Sequence, residues 1–233
     1  MAKRRVVITG ATRGIGKVLA EHYLAAGDEV VGCGRTPSAL SHPQYTHRCV
    51  DVTVAKEVDQ LFEEVRARFV KLDVLINNAG TASMNSLALT PFESAQRIVD
   101  TNLLATFAFT KAAVRLMRGS GTARIVNLTS VAVPLRLEGE AIYAASKSAV
   151  ETFTKVAAKE LGPLGITCNA VGPSPIDTGL IAGVPAAKLQ AMIAAQAVRR
   201  WAVPEDVVNV VDFFLRPESS MITGQVIYLG GAG

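Results

Sequence analysis

The fold is decided by the stretch Arg5-Val6-Val7-Ile8-Thr9-Gly10-Ala11-Thr12-Arg13-Gly14-Ile15-Gly16. A short β-branched run predicts a strand over Arg5–Thr9, and the apolar spacing after it predicts a helix from Ile15 to Ala26, which Gly27 ends. Between the two, glycines allow the backbone to approach a pyrophosphate, and the helix N-terminus offers N–H groups to an anion. The alternative is a glycine-rich turn that binds nothing. The flanking strand and helix favour a dinucleotide-binding turn.

Short apolar strands alternate with amphipathic helices along the rest of the chain. Strands are predicted at Val30–Cys33, near Arg48–Val50, and at Val74–Ile76, Arg124–Leu128, Ile166–Val171 and Gln225–Leu229, and helices at Val54–Phe69, around Ser94–Met117 and at about Tyr143–Leu161. This alternation, with nearly all-apolar strands, predicts a parallel sheet covered by helices on both faces. We therefore expect a doubly wound, three-layer α/β fold of the Rossmann type, with ligands outside the carboxyl ends of the strands. One such domain is expected to span residues 1–233.

Composition and charge exclude several classes of protein. At 233 residues, 49% of them hydrophobic, the chain can bury one large core. No apolar run approaches the roughly 18 residues that a membrane span requires, so we expect a cytoplasmic protein with no membrane contact. Three cysteines without Cys-x-x-Cys spacing and three histidines without ligand spacing indicate neither a disulfide framework nor a metal site. The net charge of +4 suits an anionic ligand, but without basic runs interleaved with aromatic residues it argues against nucleic acid as a partner.

Tyr143 and Lys147 are four residues apart in Tyr143-Ala144-Ala145-Ser146-Lys147, so their side chains share one face of a helix. A tyrosine has a reference pKa of about 10, and acid/base work near neutral pH requires that pKa to fall by about three. One ammonium at about 4 Å supplies roughly 4 kcal/mol at an effective dielectric constant of about 20, which is enough. The alternative is a pair of amphipathic side chains on a helix surface. The other motifs of the chain decide between the two.

Those motifs occur in a fixed order. The glycine-rich turn is followed by Asn77-Asn78-Ala79-Gly80, Asp100-Thr101-Asn102-Leu103, Asn127-Leu128-Thr129-Ser130 and then Tyr143-x-x-x-Lys147. In this order the chain resembles the short-chain dehydrogenase/reductase family over its whole length. Its tail is closest in pattern to 3-oxoacyl-(acyl-carrier-protein) reductases, with Pro204-Glu205-Asp206, Ile222-Thr223-Gly224-Gln225 and Gly230-Gly231. The resemblance implies an NAD(P)-dependent oxidoreductase that acts on CH–OH donors.

The resemblance implies catalytic roles for Asn102, Ser130, Tyr143 and Lys147. Tyr143 would protonate the carbonyl oxygen as hydride arrives at carbon, or accept the alcohol proton in reverse. Lys147 would lower the pKa of Tyr143 and hydrogen-bond the nicotinamide ribose hydroxyls. Ser130 would hold the substrate oxygen near Tyr143, and Asn102 would shape its helix and hold a water that feeds protons toward Lys147. The alternative for Ser130 and Asn102 is that they only satisfy backbone groups.

The resemblance also implies a set of cofactor contacts. Besides Tyr143 and Lys147, these are Gly10, Thr12, Arg13, Gly14, Ile15, Gly16, Arg35, Asp51, Val52, Asn78, Ala79, Gly80, Pro173, Ile176 and Thr178. Where an acidic residue would grip the adenosine ribose, at the end of the second strand, the chain has Gly34 followed by Arg35, with Arg13 expected in the same pocket. Two guanidinium groups suit a 2′-phosphate, so NADP(H) is expected to be preferred over NAD(H). The alternative is that both arginines are solvated surface charges.

The chain departs from the family pattern in two places. After the sixth strand it reads Pro173-Ser174-Pro175-Ile176-Asp177-Thr178, with Ser174 where the family has glycine. If that position needs a positive φ, Ser174 is strained and the loop on the nicotinamide side is displaced. Leu164 stands where acyl-carrier reductases tend to present a basic residue, which leaves Arg115, Arg118 and Arg124 as candidates to receive an acidic acyl carrier protein.

The expected function is the NADPH-dependent reduction of a ketone, first of all a 3-oxoacyl thioester, to a secondary alcohol. One alternative is another carbonyl substrate, such as a sugar, polyketide or other secondary-metabolite intermediate. A second alternative is a non-catalytic dinucleotide-binding regulator. We expect a substrate cap at about residues 179–201, and a homotetramer or dimer formed through the helices at Asn102–Met117 and Tyr143–Leu161.

Overall fold

A computed structural model describes residues 3–181 and 183–232. The strands are β1 (Arg5–Thr9), β2 (Glu29–Gly34), β3 (Tyr45–Cys49), β4 (Val74–Asn77), β5 (Ala123–Leu128), β6 (Ile166–Gly172) and β7 (Val226–Tyr228). The α-helices are α1 (Gly14–Ala25), α2 (Ala55–Arg68), α3 (Phe92–Val99), α4 (Ala105–Met117), α5 (Ala132–Leu135), α6 (Ala141–Leu161), α7 (Ala186–Ala194) and α8 (Pro204–Leu215).

The strands form one parallel sheet in the order β3-β2-β1-β4-β5-β6-β7. Strand β1 pairs with β2 on one side and β4 on the other, so the chain winds outward from β1 in both directions. This order confirms the doubly wound α/β fold. It opens a crevice beside the carboxyl ends of β1 and β4, where folds of this kind bind their ligands.

Two apolar layers hold the sheet between helices. On one face, Leu75 and Ile125 pack with Phe109 and Met117 of α4 in a core that α2 and α6 also cover. On the other face, the core is formed by strand residues that include Ile8 and by residues of α1 and α8. Successive strand residues point to opposite faces, and both faces are covered, which is why the central strands are apolar throughout.

The helix predicted around Ser94–Met117 is interrupted. Helix α3 is followed by a π-helical turn at Asp100–Leu104, and α4 continues to Met117. A π-helical turn carries one more residue than an α-helical turn, and such turns are frequent at functional sites. Helices α7 and α8 were not among the predicted elements, and β3 lies earlier than predicted.

Buried asparagines join the carboxyl ends of β4 and β5. The Asn77 side-chain nitrogen donates to Oδ1 of Asn127 over 2.8 Å, and the Asn127 nitrogen donates to Oγ1 of Thr154, on α6, over 2.9 Å. Hydrogen bonds between groups shielded from water hold both strand ends and α6 in one arrangement. The residues that follow these strand ends are thereby placed side by side.

The described residues contain neither a membrane-spanning helix nor a metal-binding cluster. No helix in residues 3–181 and 183–232 is both long enough and apolar enough to cross a membrane. The same residues contain no group of three His, Cys, Asp or Glu side chains placed to hold a metal ion.

Candidate active site

The glycine-rich turn between β1 and α1 is packed too tightly for side chains. Gly10 has a φ of +68°, and a Cβ on it would lie 2.9 Å from the Asn78 side-chain nitrogen and 3.0 Å from Cα of Ala79. A Cβ on Gly16 would overlap the main-chain oxygen of Gly10 and the same Asn78 nitrogen. The turn therefore lies directly against the residues that follow β4.

Asn78 fastens this turn to the end of β4. Its side-chain nitrogen donates to the main-chain oxygens of Thr9, over 2.9 Å, and Gly10, over 3.2 Å. In return, Oγ1 of Thr9 accepts hydrogen bonds from the main-chain nitrogens of Asn78 and Ala79, each over 2.9 Å. These four bonds fix the crevice floor between the two central strands.

The crevice fits a dinucleotide. Helix α1 begins at Gly14 with Arg13 as its N-cap, and no side chain caps the first N–H groups, so they remain available to an anion. At the other end of the crevice, a Cβ on Gly80 would lie 3.4 Å from both Oδ1 of Asn102 and Nζ of Lys147. Backbone without side chains therefore lines the path from the helix terminus to the buried polar groups.

The π-helical turn places Asn102 at this inner end, where its side chain is fully bonded. Oδ1 accepts from the main-chain nitrogen of Thr81 over 2.9 Å, and Nδ2 donates to the Thr81 main-chain oxygen and to Oγ of Ser146, each over 3.0 Å. The main-chain oxygen of Asn102 accepts from Oγ1 of Thr106 over 2.8 Å. These bonds tie the turn to the segment after β4 and to α6.

Tyr143 is buried on the first turn of α6, opposite the end of β5. Burial raises the pKa of Tyr143 to about 12; a hydrogen bond with Ser130 lowers the pKa and the charge of Glu140 raises it further. Ser130 follows β5, and its Oγ also accepts from the main-chain nitrogen of Ala132 over 3.1 Å. The two hydroxyls therefore face the same space at the carboxyl end of the sheet.

Lys147 is buried one helical turn further along α6. Its Nζ donates to the main-chain oxygen of Leu128 over 2.7 Å, and burial lowers its pKa to about 8. The predicted depression of the Tyr143 pKa by Lys147 is wrong for this structure. Burial dominates at the phenol, and its raised pKa owes nothing to the lysine.

A family model described as enoyl-(acyl carrier protein) reductase matches residues 10–231. The chain belongs to the short-chain dehydrogenase/reductase family. It is 35% identical over 236 residues to a 3-oxoacyl-[acyl-carrier-protein] reductase of Synechocystis, covering 97% of this chain and 94% of that one. It is 30% identical over 244 residues to a 3alpha-hydroxysteroid dehydrogenase of Mediterraneibacter gnavus, covering 100% and 98% of the two chains.

Among solved structures, the aldohexose dehydrogenase of Thermoplasma acidophilum superposes with a TM-score of 0.89. The two are 30% identical, and the match covers 99% of this chain and 94% of that one. The protein is therefore an NAD(P)-dependent oxidoreductase that interconverts carbonyl and CH–OH groups. The named substrates of these relatives differ widely, so membership alone does not select one.

In this short-chain dehydrogenase Arg35 and Asp51 follow neighbouring strands at the place where adenosine was expected. Arg35 follows β2 and is exposed, while Asp51 follows β3. Hydrogen bonds from Thr53 lower the pKa of Asp51, and the Arg35 charge contributes a smaller part. The guanidinium of Arg13 instead lies near Gly179, whose Cβ would be 3.5 Å from Nη1. The two arginines, expected in one pocket, have different neighbours here.

The loop after β6 closes over the glycine-rich turn without strain. Among the described residues, Arg136 is the one non-glycine residue with a positive φ, so the strain expected at Ser174 is not present. The buried Ser174 instead donates from Oγ to the main-chain oxygen of Leu229 over 3.0 Å. Further along the loop, Cγ2 of Thr178 would lie 3.5 Å from a Cβ on Gly14.

The remaining contact positions are Ile15, Val52, Pro173 and Ile176. Val52 and Ile176 are buried, while Ile15 and Pro173 are half-buried. Main-chain contacts hold the loop on both sides: Pro173 accepts from the nitrogen of Val131 over 3.2 Å, and Ile176 forms a β-bridge with Ala202. These residues therefore shape the crevice wall more than they present polar groups to it.

One of the three arginines proposed to receive a carrier protein is inaccessible. Arg124 is buried, so it cannot receive a carrier protein, whereas Arg115 and Arg118 are exposed.

The sequence did not single out Glu140, whose buried carboxyl group lies near Tyr143. Its position three residues before Tyr143, at the start of the predicted helix, was the available signal.

Proposed function

We propose that this protein reduces a ketone to a secondary alcohol with NADPH, and catalyses the reverse reaction with NADP⁺, using Tyr143 as the acid/base. The observation that carries the proposal is the convergence of Asn102, Ser130, Tyr143 and Lys147 beside Gly80 at the inner end of the crevice. A proton donor, a second hydroxyl and a cation at one place are the groups that carbonyl reduction requires.

Each side chain has a defined task in this proposal. Tyr143 donates its proton to the carbonyl oxygen as negative charge develops there, and Ser130 donates a second hydrogen bond to the same oxygen. A phenol whose pKa is raised to about 12 stays protonated at neutral pH, which suits the direction of reduction. Asn102, held by Thr81 and Ser146, keeps the π-helical turn in shape and is the proposed holder of a proton-carrying water.

The cofactor residues follow from the crevice. The first N–H groups of α1 bind the pyrophosphate, glycine backbone lines the dinucleotide, and Lys147 binds the nicotinamide ribose hydroxyls. When bound, the nicotinamide supplies the hydride. Gly34 offers no acid to a free ribose hydroxyl, and Arg35 next to it supplies a guanidinium for a 2′-phosphate, so we propose NADP(H) as the preferred cofactor.

A 3-oxoacyl thioester is the first candidate substrate, because curated relatives that share about a third of the sequence are 3-oxoacyl-[acyl-carrier-protein] reductases. Exposed Arg115 and Arg118 are then the candidate contacts for a carrier protein. The second candidate is a hydroxylated carbonyl compound, and the observation that favours it is the buried carboxyl group of Glu140 beside Tyr143. Residues 179–201, which contain α7, are the proposed substrate cap.

The test is NADPH oxidation by the purified protein across a panel of acetoacetyl thioesters, hydroxylated ketones and plain ketones. Turnover of one class with NADPH supports the proposal. Tight NADPH binding without turnover of any member would instead support a dinucleotide-binding regulator, and the absence of both would remove the proposal.

A further inference from the structure

Glu140 holds a buried carboxyl group, one oxygen of which has no hydrogen-bond partner in the described part of the chain. It immediately precedes α6 and is 7% exposed, and its Oε2 has no hydrogen-bond partner among the described residues. Burying a carboxyl oxygen without a donor is unfavourable, so natural proteins rarely keep one without a reason. Burial accordingly raises the pKa of Glu140, partly offset by the charge of Lys188.

Glu140 stands beside the turn of α6 that carries Tyr143. It is the N-cap residue of this helix and precedes Tyr143 by three residues. The charge of Glu140 contributes to the raised pKa of the Tyr143 phenol, after burial. Tyr143 and Ser130 offer hydroxyl donors to the reacting oxygen, whereas a carboxylate is only an acceptor and repels the negative charge that develops there. In its ionised form Glu140 is therefore suited to a group beside the reacting oxygen and not to that oxygen.

Two other segments of the chain frame the space beside Glu140. The main-chain nitrogen of Asn85, in the loop after β4, donates to the main-chain oxygen of Gly139 over 2.9 Å. From the proposed cap, Lys188 of α7 reaches the same place, since a Cβ on Gly139 would lie 3.4 Å from its Nζ. Lys188 acts on the carboxylate through its charge, but Oε2 receives no hydrogen bond from it. The acceptor is thus left for a molecule that enters beneath the cap.

We propose that Glu140 is a specificity-determining residue that accepts a hydrogen bond from a hydroxyl or ammonium group on the substrate, close to the reacting carbon. The inference rests on the proposed function, because it places the reacting oxygen at Tyr143 and Ser130. It narrows the substrate to carbonyl compounds, or the corresponding alcohols, that carry a neighbouring donor. A plain alkyl ketone leaves the carboxyl group unpaired and is rejected for that reason.

The test compares matched alcohols in the oxidation direction with NADP⁺. The probes are 2-butanol, 1,2-butanediol, 1,3-butanediol and 1-amino-2-butanol, which share a reacting carbon and differ in the neighbouring donor. We expect wild type to prefer a donor-bearing alcohol over 2-butanol by roughly ten- to a hundredfold in kcat/KM, the value of a hydrogen bond to a charged group. The diols and the amino alcohol distinguish a hydroxyl from an ammonium ligand.

Variants assign that preference to the carboxyl group. Glu140→Met keeps the length of the side chain and should bring the ratio toward one, while the exposed Glu138→Gln, two residues earlier, should keep the wild-type ratio. Lys188→Met should also keep a clear preference. A wild-type ratio near one, or an unchanged ratio in Glu140→Met, would overturn the proposal. The proposal would also be overturned if Lys188→Met lowered this kcat/KM ratio as much as Glu140→Met does, because Lys188 would then be the partner of the carboxyl group.

Two further measurements remain decisive if no alcohol is turned over and the proposed function fails. Saturation-transfer NMR of the same probes, on protein saturated with NADP⁺, should show weaker transfer from Glu140→Met than from wild type. Thermal unfolding should show Glu140→Met about 2 °C or more above wild type, because an unpartnered buried carboxyl group has been removed. Equal transfer, or a lower melting temperature in Glu140→Met, would identify Glu140 as a structural residue and overturn the proposal.

Discussion

Nζ of Lys147 donates to the main-chain oxygen of Leu128 over 2.7 Å, at the end of β5. This bond holds the ammonium in a buried place one helical turn from Tyr143, and burial lowers the pKa of Lys147 to about 8. The proposed mechanism depends on the positive charge of Lys147, and this charge is therefore lost at mildly alkaline pH.

The rate of reduction should accordingly fall as the pH rises through about 8. Below that value Lys147 is protonated and binds the ribose hydroxyls; above it the ammonium loses its proton, while Tyr143, with a pKa of about 12, remains a proton donor. A profile of kcat/KM for NADPH reports groups in the enzyme before NADPH binds, and should be flat at lower pH with one alkaline limb near 8. Lys147→Arg should move that limb to higher pH, since an arginine stays charged. A limb that persists near 8 in this variant would belong to another group.

Tyr143→Phe should lower kcat by about 10²–10⁴, because general acid catalysis is typically worth that factor. The ring still fills its space, so the dissociation constant for NADPH should change little. Fluorescence titration and steady-state kinetics measure the two effects separately. Tyr23→Phe is the matched control: its hydroxyl donates to Asp212 over 3.0 Å on the α1 side of the sheet, so its loss should leave kcat intact. Near-normal kcat in Tyr143→Phe would mean that another group is the acid.

Arg35→Ala should weaken NADPH binding by about ten- to a hundredfold and leave NADH binding nearly unchanged. A charge-assisted hydrogen bond to phosphate accounts for this factor, and NADH has no 2′-phosphate to lose. The matched control is Arg48→Ala, an exposed arginine of β3 that pairs with Glu64. Arg13→Ala should have a smaller effect, since Arg13 lies near Gly179 rather than beside Arg35. Equal losses for both cofactors in Arg35→Ala would show that Arg35 supports the fold.

Gly34→Asp should move the preference toward NADH, because a carboxylate repels the 2′-phosphate and accepts from a free ribose hydroxyl. A Cβ on Gly34 meets Oγ1 of Thr12, so the substitution also forces that side chain to rotate. We expect weaker binding of both cofactors in the single variant and recovery of NADH binding in Gly34→Asp combined with Thr12→Ala. The preference is measured as the ratio of the dissociation constants for NADPH and NADH. If that ratio is unchanged in both variants, the assignment of Gly34 to the 2′-phosphate pocket is contradicted.

The protein should form a dimer or tetramer through the helices around the π-helical turn. Leu104, Phe107 and Val156 are 51%, 49% and 50% exposed, and Phe107 packs edge-on against Phe153 of α6. Apolar side chains left half-open on two neighbouring helices indicate a missing partner surface. Light scattering should give two or four times the mass of one chain, and Phe107→Glu should reduce that mass. Phe92→Glu, at an exposed position on α3, should not. A wild-type monomer at micromolar concentration would exclude this interface.

The sequence predicted the parts of the fold that depend on local pattern. The strand Arg5–Thr9 was placed to the residue, because a β-branched run stops at a glycine with positive φ. The four polar residues at the inner end of the crevice were also named in advance, since their order along the chain resembled a known family. Their convergence could not follow from helix and strand patterns alone, because it depends on parallel strands that end at one edge.

The sequence failed where distant contacts decide the outcome. The π-helical turn at Asp100–Leu104 leaves no mark in the apolar spacing, since it depends on bonds from Asn102 to Thr81 and Ser146. The pKa of Tyr143 was predicted with the wrong sign, because a spacing of four residues reveals the nearby charge but not the burial of both groups. Ser174 is unstrained because its φ is not positive, and its hydroxyl donates to the distant Leu229.

Because of the π-helical turn, the number of residues between Phe92 and Met117 matters as much as their identity. A single deletion, for example of Leu103, would allow α3 and α4 to merge into one regular helix, which removes an irregular turn. The residues on either side of the deletion would keep their faces, because a π-helical turn holds one extra residue in about the same rotation, and the residues of the turn itself would be repositioned. Asn102 could no longer bond both Thr81 and Ser146, so a shorter and more regular chain would have an inner crevice without its organising amide. A substitution scan, which preserves length at every position, would not reveal this dependence.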